Sequence, residues 1–335
     1  MSDTRPGLNP HRLVSLMSQA VERCNLQLQN AIVLTEAATG AYAVTPVVAA
    51  IAGAKKVFAL TRTTRYGTVE QVKILTQQLA DIAGVSDRIE FITEKTQDIV
   101  VQADIITNSG HIRPINAETI GWMQPNAVIG LMYEAWEFRP EDVDLLACRL
   151  KGIQVAGVNE RHPAVDVFSF LGIMAVKLLL DAGISVYTSN ILLLCDNPFR
   201  SFIERGLIQA GATVDTVNSI VEASTDKNYD AILVALQPRL EPIMAEKDAA
   251  AIAKYWPGTL VAQYWGDIER SAFAAQNIPV CPEVEPKSGH MGILPSAVGP
   301  EPIVRLQTGG LKAAEVIWRQ SFQPQESGLE FVQLL

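Results

Sequence analysis

Short apolar runs separated by helical or small-residue segments recur along the whole chain. The first run, Ile32–Leu34, leads through the turn TEAATG into the small-residue segment Ala41–Ala52, and a second run follows at Val57–Leu60. Short apolar runs bounded by turn residues are typical of buried parallel strands, and the segment between them is typical of a helix packed on a sheet. The pattern predicts the strand–helix–strand unit that opens a doubly wound domain, with ligands expected beyond the strand ends at Thr35–Gly40 and Thr61–Gly67.

The same alternation continues to the end of the chain. A long apolar helix at Val167–Leu180 is followed by a second strand–helix–strand series that begins at Ile191–Leu194, and a last helix is predicted at Leu311–Gln320. The predicted organisation is a first Rossmann-like domain at 1–162, a crossover helix at 163–186, a second Rossmann-like domain at 187–310, and a C-terminal helix and tail at 311–335 that could return to the first domain.

The two predicted domains resemble each other element by element. NAIVLTEAATG in the first is matched by SNILLLCDNPF in the second, and ADIITNSG by YDAILVAL. Two copies of one ancestral unit would explain the match, although any two doubly wound domains share such patterning. The fold class is therefore α/β, with two doubly wound (Rossmann-like) parallel-sheet lobes, an internal duplication, and an interdomain cleft that both lobes face.

Composition narrows the class of partner to a small molecule. A formal net charge of -9 without a basic run argues against nucleic acid or an anionic membrane as the main partner. No apolar stretch reaches the roughly 18–20 residues that span a bilayer, and no signal-peptide segment is visible, so a cytoplasmic protein is expected. The four cysteines follow no metal-ligand spacing, so no metal site is predicted. The other partner that the sequence allows is a second copy of the chain, in a homodimer.

The turn after the first strand has the position of a dinucleotide-binding loop but only one of its glycines. Thr39, Gly40 and Ala41 are expected to let a pyrophosphate approach the following helix. Glu36 precedes this turn, and Asp196 has the equivalent position in the second domain. Two acids at the two sheet ends could work as acid and base, or could cap the helices that follow them.

Three residues that directly follow the second strand could bind a phosphate. Arg62, Thr63 and Arg65 occupy the place where the ribose 2′-phosphate lies in NADP enzymes, and arginines there supply bidentate contacts. A solvated basic turn is the alternative.

The histidines are few enough to consider one by one. His111 lies in NSGHIRP at a strand end, beside Asn108, and His162 lies in NERHPAVD at the crossover. His290 lies in GHMG within a long loop rich in proline and glycine. Imidazole titrates near neutral pH, so each could carry a proton to or from a substrate, or could instead have an ordinary surface role.

Two longer segments resemble known dehydrogenase-like families. ADIITNSGHIRPI…MQPNAVIGLMYEAWEFRPEDVDLL resembles the NAD-binding domain of S-adenosylhomocysteine hydrolase, which implies that Thr107, Ser109 and Gly110 lie near a nicotinamide. DVDLLACRLKGIQVAGVNERHPAVDVFSFLGIMAVKLLLDAG is similar to the hinge of D-2-hydroxyacid dehydrogenases, where a Gly-Ile-x-Val strand leads into a long apolar helix. The triple-glycine turn of both families is missing here, and the Arg…Glu…His catalytic set of the second has no match.

Together these features predict an NAD(P)-dependent oxidoreductase, with NADP or NAD as cofactor, that acts on a small polar metabolite in the cleft. One alternative is a transferase or lyase that uses S-adenosylmethionine or another nucleotide, because TEAATG resembles the first motif of S-adenosylmethionine methyltransferases. Another is a non-catalytic ligand-binding protein on a decayed dehydrogenase fold. The expected catalytic residues are His111, His162, His290, Glu36 and Asp196, and the expected cofactor-binding residues are Thr39, Gly40, Ala41, Arg62, Thr63, Arg65, Thr107, Asn108, Ser109 and Tyr133.

Overall fold

A computed structural model describes residues 5–322 and 327–335 of the chain. These residues fall into two compact units. Unit 1 combines the described residues up to Val167 with those from Gly299 onwards, and unit 2 is Phe168–Val298.

The strands, in chain order, are β1 (Ile32–Glu36), β2 (Lys56–Leu60), β3 (Ile89–Ile92), β4 (Ile105–Thr107), β5 (Val128–Gly130), β6 (Gln154–Val158), β7 (Asn190–Leu194), β8 (Thr213–Val217), β9 (Ala231–Ala235), β10 (Leu260–Trp265), β11 (Val280–Cys281) and β12 (Val332–Leu334). The α-helices are α1 (Pro10–Arg23), α2 (Thr45–Ile51), α3 (Val69–Ala83), α4 (Gln97–Val100), α5 (Ala117–Trp122), α6 (Leu145–Lys151), α7 (Leu171–Asp181), α8 (Arg200–Gln209), α9 (Glu246–Tyr255), α10 (Arg270–Ala275) and α11 (Glu301–Gln320).

The sheet of unit 1 has the strand order β12-β6-β5-β4-β1-β2-β3. All neighbouring strands are parallel except β12, which pairs antiparallel with β6. The strand order reverses between β1 and β4, and in open α/β sheets ligands bind beyond the carboxyl ends of the strands at such a switch point. This edge of unit 1 is therefore where a site is expected.

The sheet of unit 2 has the order β11-β10-β9-β7-β8, and all its neighbours are parallel. Its switch point lies between β7 and β9. The order matches that of unit 1 without β3 and β12. The prediction of an α/β fold with two doubly wound parallel-sheet lobes is confirmed, while a common ancestor of the two lobes stays a prediction.

The helix predicted at Ala41–Ala52 begins later than the sequence pattern indicated. Gly40–Ala43 forms a short 3₁₀ helix, and the α-helix α2 starts only at Thr45. Proline is favoured in the first turn of a helix because its missing N–H is not needed there, and Pro46 occupies that turn. The small side chains of α2 are buried, which lets this helix pack closely on the sheet.

The C-terminal helix α11 begins at Glu301 rather than at Leu311. The glycine pair Gly309-Gly310 lies inside this helix and permits close packing. A Cβ atom on Gly310 would lie 2.4 Å from Met132 Cε, and one on Gly309 would lie 2.8 Å from Val165 Cγ1. Residues 299–310, which the sequence pattern assigned to the second domain, therefore belong to unit 1, whereas the helix assigned to the crossover, α7, belongs to unit 2.

Helix α11 is the buried centre of unit 1, and its charged side chains are paired. Lys312 Nζ lies 2.9 Å from Glu315 Oε2 and donates to the carbonyl oxygen of Asn25, and Glu315 also accepts from the backbone N–H of Gln27. These contacts satisfy two buried charges, as a low-dielectric interior requires. Within the described ranges, no helix combines the length and the apolar character needed to cross a membrane.

Candidate functional site

Three hydroxyl groups join the ends of β1 and β4 at the switch point of unit 1. Thr35 Oγ1 lies 2.7 Å from Thr107 Oγ1, which lies 2.6 Å from Ser109 Oγ, and all three residues are buried. The structure thus brings together two residues expected near a nicotinamide. Since their hydroxyls satisfy one another, Thr107 and Ser109 fix the two strand ends in place.

Glu36, the last residue of β1, ties that strand to the loop after β4. Its Oε2 accepts a hydrogen bond of 2.8 Å from the backbone N–H of His111, and its side chain is almost completely buried. A Cβ atom on Gly110 would lie 2.8 Å from the same oxygen, so the loop approaches the carboxylate closely. The acid expected to take part in catalysis therefore also positions the loop that carries His111.

The turn Thr39-Gly40-Ala41 is tight, and Gly40 and Ala41 begin the short 3₁₀ helix Gly40–Ala43. Gly40 has φ +60°, a left-handed conformation that glycine adopts without strain. The backbone N–H of Tyr42 donates to the carbonyl oxygen of Thr39 at 3.2 Å. The turn lies beside the switch point, as a dinucleotide-binding loop would, but a short 3₁₀ helix separates it from α2.

The loop after β2 presents the three phosphate-binding candidates at the surface. Arg62, Thr63 and Arg65 are exposed. The guanidinium of Arg65 already has a hydrogen-bond partner, because its Nη2 lies 2.5 Å from the hydroxyl of Tyr66. The hydroxyl of Thr63 accepts from the backbone N–H of Val69 at 3.4 Å. Of the two arginines, Arg62 is the one whose guanidinium has no such hydrogen bond within the described residues.

Lys95, which the sequence analysis did not single out, lies near Arg62. Its ammonium donates to the carbonyl oxygens of Ile112 and Pro114, at 2.6 Å each. Burial, with a smaller contribution from the charge of Arg62, lowers the pKa of Lys95 to about 8. Because its partners lie in a different loop, no local sequence pattern points to this lysine.

Asn108 follows β4 and is buried. Its Oδ1 accepts from the backbone N–H of Met132 at 2.8 Å, which connects the loop after β4 with the loop after β5. Its Nδ2 is also buried, and it has no hydrogen-bond partner among the described residues. An unsatisfied buried donor costs roughly 1–3 kcal/mol, so a hydrogen-bond acceptor that reached this amide would stabilise the site.

Tyr133, expected to contact the cofactor, belongs to an ion-pair cluster in the same loops. Its hydroxyl donates to Asp142 Oδ2 at 2.7 Å, and the same carboxylate binds Arg113 at 3.2 Å and Arg139 at 3.0 Å. Burial, together with the negative charge of Asp142, raises the pKa of Tyr133. The phenol is therefore a neutral hydrogen-bond donor within the loop after β5, and Asp142 joins that loop to Arg113 in the loop after β4.

Three glutamates that the sequence analysis did not single out gather beyond β5 and β6. Glu134 Oε1 accepts from the backbone N–H of Glu160 at 3.1 Å and from Arg161 Nε at 3.2 Å. Burial raises the pKa of Glu137 to about 7 and holds the pKa of Glu160 well above its usual range, with added repulsion from the neighbouring acids. The only feature of the sequence near these glutamates that points to a site is that each of them follows one of the last parallel strands of the sheet.

Two histidines of unit 1, His111 and His162, have different surroundings. His111 is half-buried, and its backbone is held by Glu36. His162 Nδ1 accepts from the backbone N–H of Ala164 at 3.1 Å, and its ring centroid lies 3.8 Å from that of Phe331. Burial lowers the pKa of His162. These contacts favour a packing role for the neutral His162 ring, in place of the proton-transfer role expected from the sequence.

In unit 2, Asp196 repeats the arrangement of Glu36. It follows β7, and its Oδ1 accepts from the backbone N–H of Gln237, in the loop after β9, at 2.8 Å. It does not cap α8, because Asn197 Oδ1 binds the backbone N–H of Phe199 instead. His290 lies in a loop at the end of β10, where the neighbouring Gly289 donates to Asp267.

Comparisons with known proteins support the fold of this chain and no more specific property. No protein-family model and no curated protein sequence matches this chain. Among solved structures, a dipicolinate synthase subunit from Bacillus halodurans is similar with a TM-score of 0.55 and 11% identity, over 84% of this chain and 96% of that one. The dipicolinate synthase from Bacillus subtilis has a TM-score of 0.52 and 11% identity, over 84% and 94%. The NAD-dependent formate dehydrogenase from Staphylococcus aureus, in complex with NAD, has a TM-score of 0.47 and 11% identity, over 91% and 99%. The first two likenesses agree with a two-lobed Rossmann-type fold.

Proposed function

We propose that this chain is an NAD(P)-dependent oxidoreductase, and that unit 1 binds the dinucleotide along the carboxyl edge of its sheet. The observation that carries the proposal is the unpartnered Nδ2 of Asn108, a donor that is buried beside the switch point between β1 and β4 and has no partner within the described residues. A carbonyl or hydroxyl oxygen of a ligand at this edge would satisfy it. The half of a dinucleotide that lies over β4 and β5 offers such oxygens.

The residues at the turn after β1 are compatible with a bound dinucleotide, with the exception of Glu36. Gly40 lets the backbone approach a ligand closely, whereas the buried carboxylate of Glu36 opposes a pyrophosphate. Glu36 has one oxygen occupied by His111 N–H, and its Oε1 accepts no hydrogen bond from the described residues. A carboxylate oxygen is a good acceptor for a ribose hydroxyl, which is the role we propose for Glu36.

The reaction we propose needs a proton carrier beside the cofactor. A nicotinamide supplies hydride exchange when bound. His111 lies in the loop that follows β4, and its backbone is fixed by Glu36, so its half-buried imidazole is the unit 1 group best placed to exchange a proton with a small polar substrate.

A thermal-shift titration of the purified protein tests the proposal. NAD⁺, NADP⁺, NADPH and S-adenosylmethionine are added separately, and the unfolding temperature is followed. A ligand that binds only the native state stabilises it by about 2.7 kcal/mol at a hundred times its dissociation constant. We expect a concentration-dependent rise with at least one of the nicotinamide dinucleotides.

The other outcomes decide between the rival functions. A rise with S-adenosylmethionine alone would favour the transferase. No rise with any ligand would favour a non-catalytic ligand-binding protein on a decayed dehydrogenase fold, an interpretation that the carboxylate of Glu36 and the single glycine of the turn support. Adenosine as a fifth ligand controls for binding of the nucleoside alone.

A further inference from the structure

The ends of β2 and β3 bring two basic residues to the same edge of the sheet. The strands are parallel and in register, with Leu60 opposite Ile92, and the backbone N–H of Thr61 continues the pairing by donating to the carbonyl oxygen of Ile92 at 2.9 Å. Arg62 and Lys95 follow directly after these two strand ends. Because the chains leave the sheet side by side, the two cations are close enough for the charge of Arg62 to lower the pKa of Lys95, although they are far apart in sequence.

The ammonium of Lys95 is held in a fixed position. It donates to two backbone carbonyl oxygens, of Ile112 and Pro114, and its side chain is half-buried. An ammonium group carries three N–H donors, so a third remains after these two bonds. Both partners are neutral, which leaves the positive charge of Lys95 uncompensated.

Arg62 adds a second uncompensated charge. Its guanidinium is exposed, and within residues 5–322 and 327–335 neither Arg62 nor Lys95 takes part in an ion pair. Two like charges at one edge disfavour each other, and a doubly charged anion between them would remove that repulsion. A phosphomonoester carries about this charge at neutral pH, and guanidinium and ammonium groups are its usual partners in proteins.

We propose that Arg62 and Lys95 together form a phosphomonoester subsite that binds the 2′-phosphate of NADP(H) and makes this chain select NADP(H) over NAD(H). The inference rests on the proposed function, because it assigns these residues to the adenosine end of the same dinucleotide. In doubly wound domains the adenosine ribose lies near the end of the second strand, where Arg62 stands. Lys95 adds a contact from the third strand, so the phosphate is held from two sides.

Lys95 also connects this subsite with the loop that carries His111. The same ammonium that binds the phosphate holds the carbonyl oxygens of Ile112 and Pro114. Lys95 is therefore a specificity-determining residue that also positions the loop after β4. The Lys95→Arg variant keeps the charge and several donors, and is expected to keep part of the preference for NADP⁺.

Isothermal titration of the full chain with NADP⁺, NAD⁺ and inorganic phosphate tests the proposal. Losing one charge-assisted hydrogen bond to a phosphate weakens binding by roughly tenfold to a hundredfold. We expect Arg62→Gln to weaken NADP⁺ binding by roughly tenfold or more while NAD⁺ binding changes less than about twofold. Lys95→Met is expected to weaken NADP⁺ binding by at least as much and NAD⁺ binding by a smaller factor, because it also removes the hydrogen bonds that position the loop after β4. Arg62→Gln alters an exposed side chain, so it tests the subsite even if Lys95→Met destabilises the fold. Lys55→Met, at the opposite end of β2, is the matched control and should leave both affinities unchanged.

Each remaining outcome would overturn the inference. Equal affinity of the wild-type chain for NADP⁺ and NAD⁺ would refute the selectivity while leaving the proposed function intact. Equal losses for both dinucleotides in Lys95→Met, with no selective loss in Arg62→Gln, would reduce Lys95 to a residue that positions the loop. Binding of inorganic phosphate as tight as that of NADP⁺ would indicate a site for a free anion. Failure of both dinucleotides to bind the wild-type chain would refute this inference and the proposed function together.

Discussion

Replacing Asp142 with alanine is expected to lower the free energy of unfolding by about 3 kcal/mol. The carboxylate is buried, and it binds Arg113, Arg139 and the hydroxyl of Tyr133 at once. Without it, two partly buried guanidinium groups are left close together with no counter-charge. The cost is at the lower end of the range for a broken buried ion pair, because both arginines still reach solvent.

Urea denaturation, followed by circular dichroism, measures this effect. Asp144→Ala is the matched control, because Asp144 lies two residues away and makes one hydrogen bond, as the N-cap of α6 to the backbone N–H of Ala147. Loss of such a cap costs about 1 kcal/mol. An Asp142→Ala variant no less stable than Asp144→Ala would contradict the central role of Asp142 in joining the loops after β4 and β5.

Raising the pH from 4.5 through about 7 is expected to lower the free energy of unfolding by an amount on the order of 3 kcal/mol, through the neighbouring buried acids Glu137 and Glu160. Burial, together with repulsion from Glu134, raises the pKa of Glu137 from 4.5 to about 7 in the folded chain. The folded state therefore holds this proton more tightly than the unfolded chain does. Its stabilisation is complete below the unfolded pKa, and it is lost as the pH rises through the folded pKa. Glu160, whose pKa is also raised, contributes with the same sign.

The test compares the pH dependence of urea unfolding in the wild-type chain and in Glu137→Gln. Glutamine cannot lose a proton, so the decline in stability with pH should be clearly shallower in the variant. Glu141→Gln changes an exposed acid nearby and is expected to keep the wild-type slope. Identical slopes in the wild-type chain and in Glu137→Gln would show that Glu137 is ionised in the folded state at low pH, contrary to the argument from burial.

The alternation of strands and helices was predictable because buried parallel strands have short, continuous runs of apolar residues. The runs Ile32–Leu34 and Val57–Leu60 correspond to β1 and β2. Elements whose form depends on distant partners were not predictable. The glycine pair of α11 indicates a break in isolation, and only contact with Val165 and Met132 explains why the helix continues through it. Strand β12 is likewise defined by its antiparallel pairing with β6.

The positions of the candidate acids were predictable, but their partners were not. Glu36 and Asp196 each follow the first strand of a lobe, and this much is visible in the sequence. Each accepts a backbone N–H from the loop after the strand across the switch point, and those donors, on His111 and Gln237, are far away in the chain. Lys95 was missed for the same reason, because its carbonyl partners lie in another loop.

Hydrogen–deuterium exchange of the full chain, with and without saturating NADP⁺, tests whether unit 1 binds a nicotinamide dinucleotide along the carboxyl edge of its sheet. We expect slower exchange in segments 36–43, 61–68 and 107–113 of unit 1, with no change in the equivalent segments 195–199 and 236–240 of unit 2. Slower exchange in the unit 2 segments with none in unit 1, or no change anywhere, would contradict binding at this edge of unit 1.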